Sequence, residues 1–186
     1  MIKSSYYKKR LFILAVICTS FFYSSVSHAA DRKEINLKVK QTLQKFKKTV
    51  GGAGSFLKNA KGILVFPEVI KAGIGIGGEY GEGSLQINGK PVGYYNTASA
   101  SIGFQLGAQV KSVIIVFLQS DALKKFRKSD GWEVGIDGSV ALIELGAGKS
   151  IDSTSHNKPI VGFVFGNKGL MYNLTLEGSK FTKIVR

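Results

Sequence analysis

The sequence predicts an α+β fold: a strand-rich antiparallel sheet or partly closed barrel with an N-terminal amphipathic helix and a short second helix. Three observations carry this. The 186 residues, 44% of them hydrophobic, give room for one compact domain and exclude whole-chain disorder. Helical spacing is concentrated between residues 31 and 59. From Ala60 onward, short β-branched and aromatic runs are punctuated by glycine, the pattern of strands and turns.

The first thirty residues read as a secretory signal, with Lys3, Lys8, Lys9 and Arg10 ahead of an apolar run over 11–18 and a second apolar patch at Phe21, Phe22 and Tyr23. Small residues at Ser27 and Ala29 place cleavage after Ala29 or Ala30. Thr19, Ser20, Ser24 and Ser25 interrupt the stretch, which therefore falls short of the roughly 20 apolar residues of a membrane span. Ile17 precedes Cys18 where lipoprotein processing wants a small residue, so lipid anchoring is not expected. Export follows, to a periplasmic or envelope-associated site or to the medium.

In the segment 31–59, Ile35, Val39, Leu43, Phe46 and Val50 recur at steps of three or four and form one narrow stripe. Arg32, Lys33, Lys38, Lys40, Lys45, Lys47 and Lys48 surround it, and Gly51-Gly52 ends the helix. Such a helix either packs its stripe on a core or lays it in a membrane. The body, 60–186, then reads as strands at 63–66, 74–80, 84–87, 92–95, 98–108, 113–118, 133–145, 160–165, 170–176 and 180–185. Asn88-Gly89 is a hairpin turn, 120–128 a short helix capped by Ser120, and 146–159 a polar loop. Over 98–108 the apolar set Ala98, Ala100, Ile102, Phe104, Leu106 and Ala108 alternates with Ser99, Ser101, Gly103, Gln105 and Gly107, a long half-buried strand.

Twenty-six Lys and Arg against twelve Asp and Glu give a formal charge of +14, so anionic partners are favoured. The segment 31–59 holds eight cations against two carboxylates, a surface-seeking arm in front of a nearly balanced body. Lys124, Lys125, Arg127 and Lys128 form a second basic cluster on the short helix. One Cys and two His cannot build a conventional zinc site or an internal disulfide. Gly73, Gly75 and Gly78 have dinucleotide-loop spacing, but Glu79 and Glu82 follow where a helix should open; alternate glycines there leave one strand face bare for a close-packed helix or chain. With no nucleophile elbow and His156 alone in a polar loop, no enzyme, cofactor or metal is expected.

Several ordered segments resemble the SYLF domain, a lipid-binding module: Ala60-Lys61-Gly62-Ile63, Lys71-Ala72-Gly73, Gly103-Phe104-Gln105-Leu106-Gly107-Ala108-Gln109 and Lys168-Gly169-Leu170. Gly131-Trp132-Glu133-Val134-Gly135-Ile136-Asp137 and Val161-Gly162-Phe163-Val164-Phe165-Gly166 are similar to its bacterial exported branch. The resemblance implies binding of phosphoinositide-like or other anionic phospholipid, with the family's basic N-terminal helix at 32–50. An actin partner, known for eukaryotic relatives, is not expected of an exported chain, and neither is nucleic acid. The expected lipid contacts are Arg32, Lys33, Ile35, Lys38, Val39, Lys40, Leu43, Lys45, Phe46, Lys47, Lys48 and Val50, with Lys124, Lys125, Arg127 and Lys128 as a second patch. Two alternatives stand beside this: an envelope protein holding a small apolar ligand on the Gly-lined sheet face, and an outer-membrane-associated structural protein.

Overall fold

The computed structural model describes residues 31–144, 157–169, 176 and 178–186. The signal segment, most of the 146–159 loop and most of the strand expected at 170–176 lie outside the described residues.

Helix α1 (Arg32–Thr49) follows the apolar period, and Gly52, with φ 80°, turns the chain behind it. A second helix, α2 (Ala53–Lys58), comes next. Six residues are too few to show a period, so sequence spacing missed it; Ala53, Phe56 and Leu57 hold it to the core.

The six strands expected between 63 and 118 are instead two strands, β1 (Gly62–Ile87) and β2 (Lys90–Phe117). They form one antiparallel hairpin that turns at Asn88-Gly89, whose φ values of 51° and 73° match the left-handed turn that such a dipeptide favours. Pro67 and the glycines do not end strands here. They fall in or beside register shifts at Phe66/Val69 and Ile74/Ile76, with a third at Leu85/Gln86, and bulges of this kind bend a strand without breaking it.

The bent hairpin doubles back on itself. A Cβ on Gly83 would sit 1.9 Å from the Val65 carbonyl oxygen, and one on Gly81 2.7 Å from that of Glu68. Two arms of β1 are thus in backbone contact at Gly81 and Gly83, where no side chain fits. Gly73, whose Cβ would meet the Gly77 Cα at 2.4 Å, marks the bend; Gly78 has only ordinary contacts.

Helix α3 (Ser120–Lys128) follows, with Gln119 and not Ser120 at the cap position and no side-chain cap bond. The expected strand 133–145 is split into β3 (Trp132–Glu133) and β4 (Ala141–Glu144). The interruption is a turn in which Gly135 has φ 93° and Asp137 Oδ2 accepts the Glu133 N–H at 2.7 Å. Strands β5 (Ile160–Gly169) and β6 (Lys180–Ile184) complete the sheet. β6 pairs with β2 over 94–98, and β5 pairs with β2 over 109–117. β3 lies outside β6, while β4 lies outside β5 and runs parallel to it, a departure from the expected all-antiparallel sheet. Because β1 and β2 each serve twice, the described strands make an eight-segment curled half-barrel.

Two apolar clusters occupy opposite faces of this sheet. The inner one joins Leu64, Phe66, Leu85, Val113, Ile115 and Phe117 with Leu123 and Phe126 of α3. Trp132 belongs to it, almost fully buried and stacked on Phe181 at 5.9 Å between ring centroids. The outer one joins Val65, Ile114, Val116, Val161 and Phe163 with α1 and α2.

Candidate functional site: the outer face of helix α1

The apolar stripe of α1 is part of the core. Ile35, Val39, Phe46 and Val50 are at most 6% exposed, and Phe46 packs on Phe163 and Phe165 at 5.0 and 5.3 Å between ring centroids. This corrects the expectation that Ile35, Val39, Phe46 and Val50 contact lipid, and the stripe takes the core-packing alternative. The period that suits a membrane suits a sheet equally, and the sheet face at Val65, Ile114 and Val161 is already there to receive it. Only Leu43, half-buried, remains accessible among the five.

The cations lie on the other sides of the same helix. Lys33, Lys40 and Lys47 recur every seven residues, so they stand nearly over one another off the stripe, and all three are exposed together with Lys48. Leu37, 57% exposed, sits among them. Spacing could not mark it as a surface residue, because an off-stripe Leu looks the same whether it meets solvent or a partner. Arg32 leaves this group on one flank, where its guanidinium lies over the Tyr94 ring at 5.9 Å; Asn36 Nδ2 donates to the Tyr94 hydroxyl at 2.9 Å. Lys38, on the other flank, is held by Glu34 and Glu68 at 2.8 Å each. Hydrogen bonds to those two carboxylates raise its pKa above the ordinary lysine value. Lys45 lies beside Gly166 and is exposed.

The second cluster is not brought to the first. Lys124, Lys125, Arg127 and Lys128 are exposed on α3, which packs on the inner face through Leu123 and Phe126, whereas α1 packs on the outer face. Lys124 is also paired with Asp121 at 3.3 Å.

Beyond the C-terminal half of α1 a groove of about 460 Å³ opens against α2 and the start of β1. Leu43, Leu57 and Ile63 give it apolar walls, and Lys47 and Lys58 line it with cations. Among the described residues no group of His, Cys, Asp and Glu side chains is arranged to hold a metal, and no helix is long and apolar enough to cross a membrane.

Comparison with known proteins finds a family match in the second half of the chain. Residues 98–184 match the Ysc84 (SYLF) family model, described as Las17-binding protein actin regulator, over a little under half of the chain. The match runs from within β2 to the end of β6 and leaves α1, α2 and β1 outside it. No curated protein matches the chain. The SYLF family is lipid-binding in general.

Proposed function

We propose that this protein is an exported, non-enzymatic lipid-binding protein that associates peripherally with anionic phospholipid through the outer face of α1. One observation carries the reading: Lys33, Lys40, Lys47 and Lys48 are exposed on a helix whose apolar stripe, Leu43 apart, is buried in the core. Fixed to the sheet, these cations lose little freedom on meeting a surface, and each is worth up to about 1 kcal/mol beside an anionic membrane. Leu37 adds a small apolar contact in their midst. Attraction of this kind is screened within roughly 8 Å at physiological salt, so binding depends on both anionic lipid and ionic strength.

The test is co-sedimentation with phosphatidylcholine vesicles containing increasing phosphatidylglycerol, over a range of salt. The Lys40→Gln, Lys47→Gln, Lys48→Gln variant is expected to bind at least tenfold more weakly and with a flatter salt dependence. Equal binding by parent and variant removes α1 as the lipid site. A second reading is favoured by the groove beside α1: an apolar ligand with an acidic end, seated between Leu43, Leu57 and Ile63 and met by Lys47 and Lys58. Stoichiometric co-purified lipid in the intact protein would support that reading.

A further inference from the structure

The middle of the β1–β2 hairpin has its polarity reversed relative to an ordinary soluble sheet. On its outward face the directly paired residues Ile70 and Val110 are 55% and 38% exposed, and the next pair, Ala72 and Ala108, is also exposed. Past the bend, Ile76 is 71% exposed, and the pairs Gly78–Ala100 and Tyr80–Ala98 continue an exposed run of small or apolar residues, relieved by the Tyr80 hydroxyl. On the inward face Lys71, Thr97, Gln109 and Lys111 are buried with Glu79. There Glu79 Oε1 accepts from Lys111 Nζ at 2.9 Å and faces Lys71 Nζ at 3.4 Å. Lys71 and Lys111 lie on one arm of the doubled hairpin and Glu79 on the other, so the ion cluster clasps the bend from inside.

A sheet with ions inside and aliphatic side chains outside suits a hydrocarbon surrounding. In water the exposed aliphatic groups gain nothing from facing outward, and the buried ions are expensive to desolvate. The outward face at Ile70 and Val110 is also the direct continuation of the face that α1 covers at Val65 and Ile114. Gly166, which has both Lys45 and Ser112 beside it, stands near that border. Cations and bare apolar sheet therefore adjoin on one side of the molecule.

We infer that this bend is an apolar wedge that enters the acyl region of an anionic bilayer while the α1 cations hold the headgroups. The inference rests on the lipid-binding reading above and names the element that makes the hydrophobic contact. It gives the wedge a definite depth limit. The outer edge of β1 is unpaired among the described strands, so its free backbone groups must stay at the wet interface and the wedge cannot span as a lone hairpin.

The experiment uses the full chain with phosphatidylcholine–phosphatidylglycerol vesicles, comparing the parent with Ile76→Asp, Ile76→Ser and Val110→Ser. These positions are exposed, and the serine variants guard against a folding defect in the aspartate one. Expected is about tenfold weaker binding for Ile76→Asp and a smaller loss for each serine variant, with an unchanged melting transition. If the parent and all three variants bind alike while the Lys40, Lys47, Lys48 variant is weakened, the wedge is overturned and the α1 reading stands. If the parent does not bind, both fall. If the parent self-associates and Ile76→Asp makes it monomeric without changing vesicle binding, the face belongs to a second copy of the chain, and the wedge is overturned as well.

Discussion

At one end of the long hairpin the outer sheet face is covered; at the other it is bare. Under α1, Val65, Ile114 and Val116 are fully buried beside Phe46, and the inner face behind them is equally apolar. At the bend, no helix among the described residues covers Ile70, Ile76 and Val110, and the inner face behind them holds Lys71, Glu79 and Lys111. The same two strands thus read as a soluble protein's core at one end and as a lipid-facing sheet at the other. Apolar surface on a strand shows that something covers it, and only the third dimension shows whether that is the chain's own helix.

The largest consequence concerns the covered end. Removing residues 31–59 strips Val65, Ile114, Val161 and Phe163 of their partners, so a 60–186 chain is expected to lose cooperative unfolding as followed by Trp132 fluorescence. Independent folding of that fragment would make α1 a separable arm after all, as its charge density alone suggests. Next in size is a pair of truncations set against each other. Phe46→Ala should destabilise by about 3–5 kcal/mol through the cavity it leaves, whereas Ile76→Ala should change stability by less than about 0.5 kcal/mol. Similar effects at both sites in denaturant titrations would erase the contrast between covered and bare ends.

The smallest effect lies in alkaline solution. Burial pushes the pKa of Tyr95, on the inner face, above the ordinary tyrosine value, and partial burial followed by the bond to Glu82 does the same for Tyr80 at the bend. A raised pKa means that the folded state holds the proton more tightly. The stability linked to it is therefore complete below about pH 10 and falls as pH rises through that region. Thermal melts from pH 8 to 11 should show the decline, with a smaller one for Tyr95→Phe.

Much of this architecture is visible in the residues. The period of α1, the Asn88-Gly89 turn and the alternation from 98 to 108 all translate directly into elements, because each is a local preference. The continuity of β1 and β2 does not, since Pro67 and Gly73 carry the same local signal whether a strand bends or ends. Alternation also shows that the two faces differ without saying which one is inside. Thr97 and Gln109 are buried while Ala98 and Ala108 are exposed, and only the clasp of Lys71 and Lys111 on Glu79 accounts for ions on the inward side. Those three residues are separated in sequence by 8 to 40 positions with no motif to join them. For the site, the cations were legible as a class and their outward direction as a consequence of the stripe. The choice between membrane and core for the stripe itself was set by the sheet beneath it.

The account is tested most directly by depth-dependent quenching with lipids brominated on the acyl chain. Phe46→Trp and Ile76→Trp would be compared on anionic vesicles, with the parent's Trp132 as the common background. The account predicts that the tryptophan at 76 is quenched and the one at 46 is not, because α1 keeps its stripe in the core while the bend meets hydrocarbon. Quenching at 46 with none at 76 would contradict it, and would mean that α1 leaves the sheet to insert.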